Sequence, residues 1–306
     1  MGNLSPQRQA VSLFNVLDTV DKPRLIILDQ FENLLDWQTG HALPERPGIG
    51  EWLDALNSQP CHCRILLTSR RWPQGTRAYP AACMQEYHVG SMTTSEGIEL
   101  LRKQGITGTD EESSKAVKQC EGHPFALVLL ASLLRNHNLS LTTMFKEPVH
   151  PTYVQLWSGD IARNLLDLIF TKQLNETQRG LLLAFSIYRE AVPLEAAHAL
   201  MPEIQNVPKG RIHEAINVLL AQHLLNAIGE GRYRPYAIVT TYALNHFDEH
   251  DEQANRNVLR LAHAKAAQLY QQQVAKNCPP RIQRKRISDV YSLIEVVWHL
   301  CQAARW

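Results

Sequence analysis

The fold is decided by residues 25–32, which read Leu-Ile-Ile-Leu-Asp-Gln-Phe-Glu. Residues 25–28 are a continuous apolar run, bounded by Lys22-Pro23 before it and by Asp29 after it. Such a run predicts a strand that is buried on both faces, as in a parallel sheet. Asp29 then stands at the carboxyl end of this strand, where open α/β sheets place their ligand contacts.

A second strand of the same kind is predicted at Ile65-Leu66-Leu67, and it ends in Thr68-Ser69-Arg70. A short helix around Trp52 and Leu56 lies between the two strands. Strand, helix and strand in this order are typical of a βαβ unit, and therefore of a parallel sheet. We expect the polar residues after both strands to lie at one edge of that sheet.

Asp29, Glu32 and Arg70 are the candidates for chemistry at this edge. A carboxylate at position 29 can hold Mg²⁺ directly or through water, and Glu32 is placed to orient a water for attack on a γ-phosphate. An arginine at position 70 can bind a phosphate through two hydrogen bonds. Two plainer interpretations stay open. In the first, Asp29 caps a helix; in the second, Arg70 is simply exposed beside Arg71.

Beyond Val89 the strand signals stop and helical periodicity follows. Gly122-His123-Pro124 marks a helix junction, because Gly ends one helix and Pro begins the next. A β-hairpin is predicted at 225–234 around the turn Gly229-Glu230-Gly231, and helices followed by such a wing suggest a winged helix. The main helices are predicted at 125–134, 161–170, 176–185, 194–200, 211–225, 258–274 and 287–304.

These segments, in this order, resemble the second half of a STAND-class P-loop NTPase of the NB-ARC type. Residues 25–32 are similar to its Walker B segment, and residues 64–70 resemble its sensor strand, with Arg70 in the phosphate-sensing place. Residues 121–127 resemble its GxP motif, whose proline, here Pro124, packs against the adenine. The resemblance continues through a winged-helix domain into the first helices of a tetratricopeptide-like superhelix.

The resemblance implies a fold of class α/β followed by mostly α, in four parts. They are residues 1–90, the C-terminal part of an NTPase α/β domain with the Walker B and sensor strands; 91–150, a helical lid with the GxP motif; 151–252, a winged-helix domain; and 253–306, the start of tetratricopeptide-like helices.

The sequence departs from the family pattern in two places. No Gly-x-x-x-x-Gly-Lys-Ser/Thr occurs in the 306 residues, so the backbone amides and the lysine that cradle phosphates are missing. Tyr236 stands where the family usually has a histidine that contacts the bound nucleotide; a tyrosine can donate a hydrogen bond there but carries no positive charge at neutral pH. The implied ligands are Mg²⁺ with ATP or ADP, and we expect this chain by itself to bind them weakly or not at all.

The function that the resemblance implies is a regulatory nucleotide switch, in which exchange or hydrolysis of nucleotide changes how the parts pack. It would be an ATPase only if an upstream phosphate loop is supplied. The alternatives are a non-enzymatic protein-interaction scaffold and a winged-helix transcription regulator. A protein partner or self-association through the C-terminal helices is expected.

Charge and hydropathy exclude other classes. The chain has 31 Lys+Arg against 30 Asp+Glu, and the helix at 211–225 is poor in cations, so DNA is not an expected partner. The basic run 281–286 is interpreted as a solvated loop. With no signal pattern and no apolar run of spanning length, the chain is expected to be cytoplasmic and to have no membrane among its partners.

Overall fold

The computed structural model describes residues 4–19, 24–46, 48–58, 63–73, 85–146, 156–157, 159–201, 209–248 and 252–305. Contacts divide the chain into two compact units, Met1–Val89 and Gly90–Trp306. The first combines helices with a short parallel sheet, and the second is mostly helical. The predicted class, α/β followed by mostly α, is confirmed.

The sheet of the first unit is parallel, as the βαβ spacing predicts. Its two strands pair in register, with Leu28 opposite Leu67, so the residues that follow each strand meet at one edge. Ser5 occupies the cap position before the first helix, and Pro6 its first turn. The elements are α1 (Pro6–Asp18), β1 (Arg24–Leu28), a 3₁₀ turn (Phe31–Leu34), α2 (Ile49–Ser58) and β2 (Cys63–Leu67).

Helices α1 and α2 cover one face of this sheet. The Trp52 ring on α2 lies 5.9 Å from the Phe14 ring on α1 and 6.3 Å from the Phe31 ring. Ile65 of β2 packs into the small cluster around Phe14 and Ala55. The first unit therefore buries its apolar residues on a single side of the strands.

The prediction that the strand at 25–28 is buried on both faces is wrong. Leu25, Ile27 and Leu66 lie on the face away from α1 and α2 and are 61%, 60% and 52% exposed. Burial alternates along both strands, because a helical layer packs on only one side of the described sheet. Parallel sheets are ordinarily covered on both faces, so this exposed apolar face is unusual.

The second unit begins with helices that have strong local start signals. Thr93 and Glu96 form a capping box at the first helix, and Thr109 and Glu112 form another at the second. The third helix is buried through most of its middle, from Ala126 to Leu134, as its apolar sequence predicts. These helices are α3 (Thr94–Lys103), α4 (Asp110–Gln119), α5 (Pro124–Asn136) and the short α6 (Leu141–Phe145).

The middle of the second unit combines helices with a three-stranded antiparallel sheet in the order β3-β5-β4. The predicted hairpin is present. The helix predicted at 211–225 ends earlier, at Ala221, because His223 takes a positive φ of 56° and Leu225 already enters β4. The elements are α7 (Ile161–Leu168), a π-turn (Ile169–Gln173), α8 (Glu176–Ser186), β3 (Val192–Pro193), α9 (Leu194–His198), α10 (Lys209–Ala221), β4 (Leu225–Gly229), β5 (Arg232–Pro235) and α11 (Ala237–Asp248).

A long helical hairpin ends the chain, formed by α12 (Glu252–Asn277) and α13 (Tyr291–Arg305). The prediction placed the second helix at 287–304, but Ile287–Asp289 is a separate 3₁₀ turn and α13 starts after it. One continuous hydrophobic core runs through the second unit from Leu101 to Val296. Among the described helices, none combines the length and the apolarity needed to cross a bilayer.

Candidate functional site

The five site residues predicted from the sequence fall into two groups. Asp29, Glu32 and Arg70 belong to the first unit, and Pro124 and Tyr236 belong to the second. Each group is described within its own unit.

In the first unit, the ends of the two strands are joined through Thr68. Its hydroxyl donates to Asp29 Oδ1 at 2.5 Å and accepts the backbone N–H of Gln30 at 3.0 Å. Its carbonyl accepts the N–H of Phe31 at 2.9 Å. We call Asp29, Glu32, Thr68 and Arg70 the edge cluster. The sequence shows Thr68 only as a polar residue after the second strand, and the register of the sheet gives it this role.

Asp29 does not cap a helix, so that interpretation is wrong. The 3₁₀ turn that follows is preceded by Gln30, which has a left-handed backbone (φ 56°), and no side chain caps this turn. The Asp29 carboxylate instead accepts the Thr68 hydroxyl on one oxygen. Its other oxygen accepts no hydrogen bond from the described residues, and the side chain is exposed. Asp29 is thus oriented by one bond and open to a ligand.

Glu32 holds Arg70 with both carboxylate oxygens. Oε2 accepts the backbone N–H of Arg70 at 3.3 Å, and Oε1 lies 3.5 Å from Arg70 Nε. The Arg70 side chain is 73% exposed and that of Glu32 15%, so Arg70 is exposed, as the plainer interpretation held, but also paired. An ion pair this open to solvent contributes less than about 1 kcal/mol. A phosphate group could therefore displace Glu32 from Arg70 at little cost.

The edge cluster fits Mg²⁺ of the kind that nucleotides carry. No group of three or more His, Cys, Asp or Glu side chains in the described part of the chain could hold a metal by itself. Mg²⁺ with a nucleotide, however, takes one or two carboxylates and draws its other oxygens from phosphates and water. Asp29 offers one exposed carboxylate of this type.

In the second unit, Gly122 is required by a close approach of two backbone segments. The residue has a positive φ of 63°, and its carbonyl accepts the N–H of Met92 at 2.9 Å. A Cβ at position 122 would lie 2.4 Å from the carbonyl oxygen of Met92. The predicted helix junction is confirmed, because α4 ends at Gln119 and α5 begins at Pro124.

His123 caps α5, a role that the sequence pattern did not show. Its Nδ1 accepts the N–H of Ala126 at 3.2 Å, so the proton of the neutral ring is on Nε2. The residue before Pro124 therefore supplies the cap that Ser, Thr, Asp or Asn would usually supply. Together, Gly122 and His123 fix the position at which α5 presents Pro124.

The structure brings the neighbourhood of Pro124 to Tyr236. Tyr236 links β5 to α11, and its ring centroid lies 5.6 Å from that of Phe125, the residue after Pro124. Tyr236 is partly exposed, and its hydroxyl makes no hydrogen bond with the described residues. The ring contact through Phe125 was not foreseen, although an aromatic residue directly after the proline is visible in the sequence.

A depression of about 590 Å³ lies beside this junction on the α4 side. It includes Glu121 but neither Pro124 nor Tyr236, so it does not coincide with the predicted nucleotide residues. Its lining carries both signs of charge around one aromatic ring: Glu111, Ser114, Lys115, Lys118, Gln119, Glu121, Trp157, Gly159 and Ile161.

A partly buried polar cluster ties the C-terminal hairpin to the loop after α8. Glu295 of α13, fully buried, accepts two hydrogen bonds from the Arg189 guanidinium, and the Tyr270 hydroxyl of α12 donates to Glu190 at 2.7 Å. Burial, helped by Glu190, raises the pKa of Tyr270 above its usual range. We call Arg189, Glu190, Tyr270 and Glu295 the hairpin lock. Sequence reasoning missed it because its partners are 80 and 106 residues apart.

Two histidines lie next to the hairpin lock. His263 Nδ1 and His299 Nδ1 are 3.0 Å apart, so one ring donates to the other, while the buried Nε2 of His299 has no partner in the described structure. Burial lowers the pKa of both side chains, and the neighbouring Arg189 lowers that of His299 further. Both rings are therefore neutral at pH 7.

No protein-family profile matches the sequence, and no curated protein matches it either. Among solved structures, the chain is similar to the crystal structure of a Signal Transduction ATPase with Numerous Domains (STAND) protein with a tetratricopeptide repeat sensor from Pyrococcus horikoshii, at 16% sequence identity and a TM-score of 0.47. The match covers 99% of this chain and 42% of that one. This chain thus spans less than half the length of that protein.

Proposed function

We propose that the chain is part of a nucleotide-dependent switch of the STAND class and that it binds Mg-ATP or Mg-ADP only when another segment supplies the phosphate loop. The observation that carries the proposal is the edge cluster. An oriented, exposed carboxylate, Asp29, and a guanidinium, Arg70, that a second carboxylate holds only weakly both follow the carboxyl ends of two parallel strands. Ligand contacts in open α/β sheets concentrate at this edge.

Each residue of the edge cluster has a separate task in this proposal. Asp29, oriented by Thr68, would hold the Mg²⁺ directly or through water, and the ion would neutralise charge on the phosphates. Arg70 would exchange Glu32 for a phosphate oxygen, because a phosphate offers a guanidinium two strong hydrogen bonds. That exchange would release Glu32, whose carboxylate would then be free to orient a water. Phosphate binding and readiness for hydrolysis would thus be coupled through one side chain.

The second unit would supply the contacts to the nucleoside. In the proposal α3–α6 form the lid, α7 to α11 form the winged helix, and α12 with α13 open a tetratricopeptide-like array. Pro124, at the start of α5, would touch the adenine. Tyr236 would donate a hydrogen bond to the nucleotide from the contact it shares with Phe125. Because Tyr236 carries no charge, it would distinguish ATP from ADP less strongly than a histidinium.

The sheet of the first unit has an exposed apolar face on which the segment with the phosphate loop could pack. The exposed apolar face of Leu25, Ile27 and Leu66 is a surface that a parallel sheet ordinarily covers. We propose that the segment that brings the phosphate loop packs against this face, whether it comes from a longer chain or from a second polypeptide.

The test is calorimetric titration of Mg-ATP and Mg-ADP into the chain alone and into the chain mixed with a polypeptide that carries a phosphate loop and its strand. The chain alone is expected to show no micromolar binding. In the mixture, Asp29→Asn should reduce the affinity at least tenfold, whereas Glu45→Gln, an exposed acid in the same unit, should not change it. Micromolar binding by the chain alone would refute the need for the loop. No binding in either form would favour the scaffold alternative.

A second function, protein interaction without nucleotide, is favoured by one observation. Leu261 of α12 and Val297 and Leu300 of α13 are exposed on the C-terminal hairpin, and exposed apolar side chains at helical spacing suit helix-on-helix docking. Light scattering of the wild type and of Leu261→Ser/Val297→Ser tests self-association. If the wild-type protein stays monomeric at high concentration, self-association is excluded and this surface would have to bind a different protein.

A further inference from the structure

The loop between α12 and α13 exposes two aliphatic side chains to an unusual degree. Ile282 is 95% exposed, more than any other large hydrophobic residue in the described part of the chain, and Ile287 is 75% exposed. Each lies on its own 3₁₀ turn, Arg281–Gln283 and Ile287–Asp289. We call residues 276–289 the hairpin tip. Neither isoleucine contributes to the core of the second unit.

Positive charge surrounds these two residues. The hairpin tip carries five cations and one acid, in a chain whose total charge is only +1. The acid, Asp289, is occupied by the backbone N–H groups of Lys285 and Arg286, which it accepts at 2.8 and 2.9 Å. These bonds lower the pKa of Asp289, so it stays ionised, but it does not form an ion pair with the lysines. The cations are Lys276, Arg281, Arg284, Lys285 and Arg286.

Hydrogen bonds within the hairpin tip hold the loop in the conformation that exposes the two isoleucines. Arg284 Nε donates to the Pro279 carbonyl at 2.9 Å, and the Cys278 thiol donates to the Asp289 carbonyl at 3.3 Å. Together with the two hydrogen bonds to Asp289, these contacts tie the two ends of the loop to each other, and none of them involves the isoleucine side chains. The bracing thus leaves Ile282, Ile287 and the remaining cations facing outward.

This combination suits one kind of partner better than others. A nucleic acid would use the cations, but aliphatic side chains gain nothing from phosphates, and residues 276–289 hold no aromatic ring on which a base could stack. A folded protein would need a cavity matched to two projecting side chains. A lipid surface needs no matched shape, because anionic headgroups attract the cations while aliphatic side chains enter the acyl boundary.

We propose that the hairpin tip docks the chain on an anionic lipid surface, with Ile282 and Ile287 inserted and Lys276, Arg281 and Lys285 at the level of the headgroups. The sequence prediction of no membrane partner rested on the lack of a spanning segment, which surface docking does not need. The docking is independent of nucleotide. The membrane test can therefore fail while the proposed nucleotide switch stands, and the nucleotide test can fail while the docking proposal stands.

The experiment is co-flotation of the full chain with vesicles of phosphatidylcholine alone and of phosphatidylcholine with 30 mol% phosphatidylserine, at about 0.1 M salt, where exposed charges are screened beyond ~10 Å. Binding is expected only to the anionic vesicles. Ile282→Ser/Ile287→Ser should reduce partitioning of the protein onto the anionic vesicles at least tenfold. Each inserted isoleucine transfers several CH₂ groups from water into the lipid, and the serines do not. Both residues are exposed, so circular dichroism should show an unchanged fold.

Matched controls separate the hairpin tip from general charge and hydrophobicity. Lys276→Gln/Arg281→Gln/Lys285→Gln should lose about fivefold per cation, whereas Lys103→Gln/Lys118→Gln/Lys172→Gln, with the same change of net charge, should keep most of the binding. Ile228→Ser, in the exposed strand β4, should have no effect. A fluorescent single-stranded RNA serves as the competing ligand.

Three outcomes would overturn the proposal: no flotation with anionic vesicles, equal flotation of wild type and Ile282→Ser/Ile287→Ser, or binding to the RNA without binding to vesicles. The last would assign the hairpin tip to nucleic acid. Loss of flotation in both the isoleucine and the hairpin-tip cation variants, while the two control variants keep most of the binding, would establish it.

Discussion

The first unit builds its core on one side of two five-residue strands, whereas the second unit packs helices around a core that is continuous from Leu101 to Val296. In the first, Leu25 and Ile27 face solvent although they belong to the most apolar run of that unit. In the second, even the charged Glu295 is fully buried, because Arg189 satisfies it. Apolar strand residues are thus exposed in the first unit, whereas a carboxylate is buried in the second.

The difference shows that a residue's own hydrophobicity does not decide its burial. A helix buries its apolar stripe as soon as one neighbour packs on it, but a central strand of a parallel sheet needs a layer on each side. The second unit has enough helices to complete its layers. In the described part of the first unit, one helical layer packs on a sheet with two apolar faces, so one face remains open.

The largest effect is expected where two backbone segments of the second unit touch. Gly122→Ala should destabilise the protein by about 3 kcal/mol, because the new Cβ meets the Met92 carbonyl and the positive φ adds strain. Gly105→Ala is the control: its φ is also positive, at 77°, but nothing lies within 4 Å of the new Cβ, and a loss of about 1 kcal/mol is expected. Chemical denaturation measures both. Equal losses would show that the close approach to Met92 does not matter.

The hairpin lock should be worth more than an exposed pair of the same type. Arg189→Met leaves Glu295 buried without its partner and should cost about 2–3 kcal/mol, less than a fully buried pair because Arg189 is partly exposed. Arg102→Met, which breaks the exposed pair with Asp110, should cost less than about 1 kcal/mol. Arg189→Met/Glu295→Met should recover part of the loss. No recovery would mean that Arg189 acts through its contact with the Trp298 ring.

The one-sided sheet is tested by one substitution on each face. Ile65→Thr removes apolar area from the cluster around Phe14 and should destabilise the first unit by about 1–2 kcal/mol. Ile27→Thr, on the exposed face, should change the free energy of unfolding by less than about 0.5 kcal/mol. Thermal unfolding of the two variants gives the comparison. A large loss from Ile27→Thr would show that the exposed face is covered in solution, for instance by self-association.

The smallest effect concerns acid. Because burial lowers the pKa of His263 to about 4 and lowers that of His299 too, the unfolded chain binds protons below pH ~6.5 that the folded chain does not. Stability should therefore be complete above pH ~6.5 and fall as the pH drops towards 4. Between pH 7 and pH 6 the loss should be about 1–2 kcal/mol larger in the wild type than in His263→Asn/His299→Phe.

Denaturation at the two pH values measures this difference, with His88→Asn as the exposed control. If the double variant loses as much stability as the wild type, the histidine pair is not the source of the acid sensitivity.

Much of the fold could be predicted because its signals are local. The parallel pairing of the two strands followed from their βαβ spacing, and the helix junction at Gly122 and Pro124 from residue types with fixed backbone preferences. The hairpin around Gly229 and Gly231 was equally local. The errors lie where a local pattern permits two outcomes. The helix predicted at 211–225 ends early because a strand pairing takes over from Leu225.

The candidate site was predictable in part. That Asp29 and Arg70 lie at one sheet edge follows from parallel pairing alone. Two contacts could not be predicted: the hydrogen bond from Thr68 to Asp29 and the ion pair of Glu32 with Arg70. Both depend on the register of the sheet and on the left-handed backbone of Gln30. The roles of these residues with a nucleotide stay a prediction.

Periodicity, caps and turn residues act within a few positions, so the amino-acid sequence was enough to place most strands and helices. Which apolar faces are buried, which carboxylate holds which cation, and the exposure of Ile282 and Ile287 depend on the packing of the whole chain. Those outcomes depend on contacts between residues far apart in the chain, whose energies are set by the solvent that packing removes and not by the residues alone.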